Sequence, residues 1–216
     1  MIPDGLLLRH YAMEAKSAAF TELVHRHLNL VYGAAMRRTG GDAHLSADIC
    51  QHVFISLARN ARSLITHPCL SAWLHTATRN AALNVLTSEQ RRKTREATAM
   101  LTLADNESED APEWHQLKPL LDETIDELSE ADRTVIVGRF LEGRAFAEIG
   151  AHLKVSEDAA RMRTERALER MRAALARRGI RSTASALGTV LIAQPAMTAP
   201  AGLAASITNA AVHLGG

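Results

Sequence analysis

One strongly acidic stretch divides this sequence. Residues 96–132 contain twelve acidic residues and a single basic one, Lys118, whereas residues 1–95 and 133–216 each contain twelve basic and six acidic residues. The middle segment therefore has a net charge of −11, and each flank has a net charge of +6. Blocks of like charge on this scale separate the parts of a chain that fold from those that connect them. The pattern indicates two basic units joined by an acidic connector.

The connector has the composition of a solvated chain. The run from Asp105 to Glu113 is rich in acidic residues, includes Pro112 and has no helical spacing of apolar residues. Such a segment does not bury enough apolar surface to fold. We therefore predict a helical domain over 1–95, an acidic flexible linker over 96–120, a second helical domain over 121–178, and a C-terminal extension over 179–216.

Helical periodicity runs through both basic units. In the first unit Phe20, Leu23, Val24, Leu28 and Val31 recur at three- and four-residue steps, which is typical of a helix with one buried face. Aromatic residues make up only 4% of the chain, and strand-like alternation is hard to find, which argues against a β-sandwich or barrel. The prediction is an all-α protein of two small helical domains.

Two further helices are predicted in the first unit. Over residues 46–57 the apolar side chains share one face, so Asp48 and Gln51 point outward. After a proline-containing loop, Ser71 can cap a later helix. That helix ends in the basic run 91–95.

Two sequence runs of this unit resemble a known family. Residues Ala47 to Phe54 read ADICQHVF, and residues Ala72 to Ala82 read AWLHTATRNAA. Together they resemble the promoter-melting domain of bacterial sigma factors of the sigma-70 family, most closely the small extracytoplasmic-function group. The resemblance implies core RNA polymerase as a partner, bound through Asp48, Gln51 and Phe54. It also implies promoter DNA as a partner, with the −10 element held as a single strand by the second run and the helix that follows.

Capture of a single strand has recognisable chemical requirements. Unpaired bases need an aromatic or apolar platform beside cationic groups that hold the phosphates. Residues of the required types are Trp73, Arg79, Asn80, Asn84, Arg91 and Arg92. The alternative is that Trp73 belongs to the core of the domain and that Arg79 is an ordinary surface residue.

The second unit has the pattern of a helix-turn-helix. Ser129, three residues before Asp132, can cap one helix, and Ser156 can cap a later one whose first turn carries Glu157 and Asp158. In the later helix the apolar side chains form one narrow stripe, with arginines on both sides of it. A recognition helix that enters the DNA major groove has this arrangement. A solvated amphipathic helix with internal Glu–Arg pairs is the alternative.

The stretch from Leu128 to Met171 resembles the sigma-factor domain that reads the −35 promoter element. The order of the two units and their acidic linker also match that family. The resemblance implies DNA contacts by Ser156, Arg161, Arg163, Arg166 and Arg170. This chain departs from many members of the family at Asp158, which adds a negative charge where DNA phosphates approach. The preferred −35 sequence therefore stays open.

No motif indicates catalysis, a metal ion or a cofactor. Cys50 and His52, and likewise His67 and Cys69, lack the usual spacing of zinc ligands. Glycine-rich phosphate loops and nucleophile motifs are not found. We expect a chain that is not an enzyme and has no cofactor, and two cysteines suit the reducing cytoplasm. A membrane span of roughly 20 apolar residues is not expected either.

The extension contains no charged residue after Arg181. Short helices over 183–192 and 201–212 are expected to pack on the protein or on a partner, and disorder of the segment is the alternative. The resemblance allows an anti-sigma factor as a further partner.

Two motifs in the order of the family favour a sigma factor for the whole chain. The alternative is a stand-alone helix-turn-helix transcription regulator whose N-terminal domain senses a partner or a ligand. A metal-dependent enzyme would require a closed set of ligands, which the sequence does not offer.

Overall fold

The computed structural model describes the backbone of residues 2–99, 114–180, 182–192 and 197–212, and the side chains of residues 2–89, 120–180, 182–192 and 197–211. Within these ranges the chain is helical and has no β-strand, which confirms the predicted all-α class. The helices are α1 (Asp4–Glu14), α2 (Ser17–Arg38), α3 (Ala43–Leu64), α4 (Leu70–Ala99), α5 (Trp114–Asp126), α6 (Glu130–Ile136), α7 (Phe146–Leu153), α8 (Glu157–Arg177), α9 (Ala184–Ile192) and α10 (Leu203–Val212). A π-helical turn, Val137–Leu141, continues α6.

The first domain consists of α1 to α4. Helices α2, α3 and α4 pack against one another, and α1 packs on α2 and α3. The apolar stripe of α2 is buried as predicted, with Leu23 and Val24 fully inaccessible. The sequence analysis did not predict α1, whose Leu7 and Leu8 enter the same core.

The starts of α3 and α4 differ from the predictions. Helix α3 begins earlier, because the Asp42 carboxylate accepts hydrogen bonds from the backbone N–H groups of His44 and Leu45 at 2.9 and 3.0 Å. The prediction that Ser71 caps α4 is wrong. Ser71 already lies inside the helix, is buried, and donates its hydroxyl hydrogen to Glu142 of the second domain.

The second domain is built from α5 to α8. The predicted caps are confirmed, since Ser129 accepts from the backbone N–H of Asp132 at 3.3 Å and Ser156 accepts from that of Ala159 at 3.1 Å. Gly150 lies inside α7, and the turn that follows this helix packs directly against it, so a Cβ atom at Gly150 would lie 2.8 Å from the carbonyl oxygen of Val155. Any side chain larger than that of glycine at this position would force the turn between α7 and α8 to shift.

The predicted linker 96–120 is longer than the structure allows. Helix α4 continues to Ala99, and α5 begins at Trp114; the residues between lie outside the described ranges. The acidic composition led to a linker end that is too late in the sequence. Leu121 and Ile125 are fully buried, and the helix that carries them begins at Trp114.

The two domains meet through a buried cluster of charges. Arg37 of α2 donates to the carboxylate of Asp122 on α5 at 2.7 and 3.0 Å, and Arg38 donates to Asp126 at 2.8 Å. His75 of α4 lies between the two carboxylates, with ring nitrogens 3.3 Å from Asp122 and 3.4 Å from Asp126. Burial raises the pKa of Asp122, but Arg37 and His75 outweigh it and hold that pKa well below its usual range.

The C-terminal extension packs on both domains. Helix α9 lies on α8 and the π-helical turn, and Leu187 and Leu191 enter the second core. Helix α10 lies on α2 and α3, and Leu203, Ile207 and Ala211 enter the first core. None of the helices that the structure describes is long and apolar enough to cross a membrane.

Candidate functional site

A groove between α3 and α4 brings together three of the residues predicted to bind single-stranded DNA. Trp73, Asn80 and Asn84 line it from α4, and His52 and Ser56 line it from α3. Its volume of about 550 Å³ lies in the range of sites that hold a small organic group. The sequence analysis missed His52 and Ser56, although their four-residue spacing places them on one face of α3.

Trp73 is partly exposed within this groove. Its ring packs against the first core on one side, and the residue stays half-buried rather than buried. Asn80 and Asn84 are exposed and lie about two and three turns further along α4. The groove therefore combines an aromatic surface with two amide groups, each of which both donates and accepts hydrogen bonds.

Arg79 does not share this groove. Its Nε atom lies 3.3 Å from the Asp126 carboxylate of α5, at the contact between the domains. Successive residues of a helix are about 100° apart around its axis, so the neighbour of Asn80 faces the second domain. The structure therefore does not bring Arg79 together with Trp73 in this groove, and a DNA contact by Arg79 stays a prediction. Arg91 and Arg92 belong to α4, but their side chains lie outside the described residues.

The predicted polymerase-binding residues of α3 separate into two kinds. Asp48 is exposed and Gln51 is half-buried, and they lie about one turn apart on the outer side of the helix. Gln51 also donates its amide hydrogen to the hydroxyl of Ser206 on α10, at 3.4 Å. Phe54 is fully buried, because it lies on the core side of α3 with Val53 and Leu57. Phe54 therefore cannot contact a partner in this structure, and its prediction as a contact residue is corrected.

Helix α8 presents one buried and one exposed side. The predicted stripe is confirmed, since Ala160, Thr164, Ala167, Leu168, Met171 and Leu175 are buried. Ser156 holds the N-terminus of the helix through its cap, with Glu157 and Asp158 exposed in the first turn. The N-terminal end of α8 is therefore capped and carries two exposed carboxylates.

The four arginines predicted to bind DNA have different surroundings. Arg161 lies 3.3 Å from Glu157, and its guanidinium stacks 4.9 Å from the centre of the Phe146 ring. Arg170 forms an ion pair with Asp132 of α6, whose carboxylate also lies 3.9 Å from Arg163.

Arg166 is exposed and makes no ion pair within the described part of the chain. Its guanidinium is thus the one of these four that can reach a phosphate without first leaving a carboxylate or a ring.

Both cysteines are buried, Cys50 within the apolar core of the first domain and Cys69 near Glu142 and Arg144. Burial raises the pKa of Cys50 to about 12 and also raises that of Cys69. Both thiols are free. Among the residues described, no group of three or more His, Cys, Asp or Glu side chains is placed to hold a metal ion.

Comparison with known proteins matches both domains. The family model for Sigma-70 region 2 covers residues 23–92, and that for Sigma-70 region 4 covers residues 124–173. The RNA polymerase sigma factor CarQ of Myxococcus xanthus is 31% identical over 158 residues, which is 71% of this chain and 87% of CarQ. The ECF RNA polymerase sigma factor SigE of Mycolicibacterium smegmatis is 27% identical over 176 residues, which is 80% of this chain and 68% of SigE.

A solved structure is also similar. It is the co-crystal structure of the sigma factor RpoE in complex with the anti-sigma factor NepR from Bartonella quintana, with a TM-score of 0.33 and 16% sequence identity. The match covers 73% of this chain and 96% of that one. The two family models follow the order of the two helical domains, which favours a sigma factor over a stand-alone regulator.

Proposed function

Since this chain belongs to the extracytoplasmic-function group of the sigma-70 family, we propose that its two helical domains read a promoter at two separate positions. As a sigma factor, the chain binds core RNA polymerase and directs the initiation of transcription at promoters. The first domain, which ends in α4, holds the −10 element as a single strand. The second domain, which begins with α5, reads the −35 element as duplex.

The observation that supports the −10 assignment is the groove between α3 and α4. An unpaired base stacks on the accessible part of Trp73, and the amide groups of Asn80 and Asn84 bond to base edges. His52 and Ser56 lie on the opposite wall and limit the size of the base that enters. The phosphates of the strand are held by Arg91 and Arg92 in the C-terminal third of α4, as the sequence predicts.

Substitution of Trp73 tests this assignment. Loss of stacking on an aromatic side chain costs about 1 to 3 kcal/mol per base, so Trp73→Ala should reduce open-complex occupancy roughly 5- to 150-fold. Permanganate reactivity of unpaired thymines measures the melted region, and Trp73→Phe should retain most of it. The matched control is Thr87→Ala, which changes an exposed residue of α4 outside the groove. Equal reactivity in Trp73→Ala and Thr87→Ala would refute the assignment.

The −35 element is read by the N-terminal half of α8 in the major groove. Arg166 binds a phosphate directly, and Ser156 and Arg161 lie closer to the bases at the capped end. Arg163 and Arg170 exchange Asp132 for a phosphate when DNA binds, so each contributes less net affinity than Arg166.

The salt dependence of duplex binding tests whether Arg166 contributes more affinity than Arg163. Arg166→Ala should reduce the slope of log K against log salt by about one, because one phosphate contact and its released counterions are lost. Arg163→Ala should weaken binding less, since the wild-type side chain must first leave Asp132. The opposite order of the two losses would contradict the proposed roles of these arginines.

Core polymerase docks on the outer side of α3 through Asp48 and Gln51. Phe54 supports this surface from below and makes no contact with the partner. Asp48→Arg should weaken polymerase binding without loss of helix content. The control is the same charge change at Glu14, an exposed acid of α1. If both variants bind polymerase as the wild type does, α3 is not the docking helix.

In this proposal the chain acts in the cytoplasm as a binding factor rather than as an enzyme. The free energy for strand opening comes from polymerase contacts and captured bases, which is in keeping with a family of initiation factors. An anti-sigma factor is a further partner.

A further inference from the structure

The last helix of the extension is seated in the first domain by one apolar face. Leu203, Ile207 and Ala211 follow one another at four-residue steps and are 8%, 0% and 1% exposed. They contact α2 and α3 and belong to the core of the first domain. Helix α10 is therefore docked on this surface rather than lying loosely beside it.

Three hydrogen bonds join the segment 197–211, which contains α10, to the first domain. The hydroxyl of Tyr11 on α1 donates to the carbonyl oxygen of Ala211 at 3.4 Å, and the backbone N–H of Ala199 donates to the side-chain oxygen of Asn29 on α2 at 3.0 Å. The third contact is the bond between Gln51 of α3 and Ser206. Helix α10 thus contacts Gln51, a residue of the proposed polymerase-binding surface.

The contact is suited to reversible release. Residues 182–216 carry no charged side chain, so α10 adds no ion pair to its seat. Helix α9 stays tied to the second domain through Leu187 and Leu191. A released α10 would remain tethered near its seat, and a tether keeps the effective concentration for rebinding high.

We propose that the α2–α3 surface beside Gln51 is shared by α10 and core RNA polymerase, which compete for it. This inference rests on the proposed role of Asp48 and Gln51 in polymerase binding. Polymerase must take the Gln51 amide from Ser206, and a bulky partner on this side of α3 meets the body of α10. The apparent affinity for polymerase is therefore reduced by the fraction of molecules in which α10 is docked.

A charge on the buried face of α10 tests the competition in the full-length chain. Ile207→Asp puts a carboxylate at a fully buried position, which the seat cannot accommodate, so α10 should leave. Polymerase affinity should rise about tenfold, as expected when α10 is docked in about nine-tenths of the free molecules. Asn209→Asp adds the same charge at an exposed position of the same helix and should leave the affinity unchanged.

A disulfide provides the opposite perturbation. A Cβ atom at Gly33 of α2 would lie 3.8 Å from the Cβ of Met197, which is the mean separation in disulfides. The variant Gly33→Cys/Met197→Cys should bind polymerase at least fivefold more weakly when oxidised, and reductant should restore its affinity. Oxidised wild type is the control, since Cys50 and Cys69 are both buried.

Amide hydrogen exchange of α10 reports its release, and Asp48→Arg is measured in parallel. The proposal is supported if Ile207→Asp exposes α10 and gains affinity while the oxidised double-cysteine variant loses it. It is overturned if Ile207→Asp releases α10 without a gain in affinity, or if oxidation has no effect, while Asp48→Arg still weakens binding. If Asp48→Arg leaves binding unchanged, the docking surface itself is wrong, and the shared-surface proposal fails with it.

Discussion

Removal of the Asp122 carboxylate should strongly destabilise the packing of the two domains. Asp122 is 1% exposed, accepts two hydrogen bonds from Arg37 and lies 3.3 Å from His75. Asp122→Ala leaves the guanidinium of Arg37, itself 12% exposed, without a counter-charge. Breaking a buried ion pair from one side costs about 3 to 5 kcal/mol. We expect the lower end, about 3 kcal/mol, because Asp126 remains 3.4 Å from His75 and compensates part of the loss.

A double-mutant cycle separates the ion pair from simple loss of a side chain. Arg37→Ala and Asp122→Ala should each reduce the free energy of unfolding, and the double variant should lose less than the sum. The difference should be about 1 to 3 kcal/mol, as for residues in direct contact. The control, Arg62→Ala, changes an exposed arginine of α3 and should stay within about 0.5 kcal/mol of the wild type.

Urea unfolding followed by far-ultraviolet circular dichroism measures these losses. A shift of the midpoint at constant slope reports a change in stability. If Asp122→Ala unfolds at the midpoint of Arg62→Ala, or if the single losses add exactly, the charge cluster does not hold the domains together.

Three further predictions address the core, the turn and the response to acid. Phe54→Ala should cost about 3 to 5 kcal/mol in urea unfolding, as for a buried aromatic side chain; a loss below about 1 kcal/mol would return Phe54 to the surface. Gly150→Ala should weaken duplex binding, measured by fluorescence anisotropy, because the added Cβ meets the Val155 carbonyl at 2.8 Å; wild-type affinity would contradict the tight turn. Burial raises the pKa of Asp4, but His27 and Arg26 outweigh it and lower the pKa from 3.8 to about 2. The stabilisation from Asp4, about 2 kcal/mol, should therefore be present above pH 4 and be lost between about pH 4 and 2, and Asp4→Asn should unfold in acid without this transition.

Much of the fold follows from local patterns in the sequence. The stripe of α2 and the caps Ser129 and Ser156 were predictable, because periodicity and capping depend on neighbouring residues. The start of α5 was not, since Trp114 follows a strongly acidic stretch, and the Leu121 and Ile125 side chains of this helix are buried in the second core by residues far along the chain. The prediction that Ser71 caps α4 failed for a similar reason, because the Ser71 hydroxyl has its partner in the second domain.

The candidate sites show the same limit. The sequence alone predicted Trp73, Asn80 and Asn84, which share one groove. It could not place Arg79 at the domain contact, because that requires the position of α5. The bond between Gln51 and Ser206 joins residues 155 positions apart. No local pattern predicts a contact of that range, so the proposed competition between α10 and polymerase follows only from the packed structure.

The most direct test is run-off transcription with purified core RNA polymerase, this chain and a library of promoter sequences. Our account predicts transcripts that require the chain and whose promoters share a −10 and a −35 element, with core polymerase alone inactive on the same library. Stable binding of the chain to duplex DNA, with no promoter-dependent transcript when core polymerase is added, would contradict it.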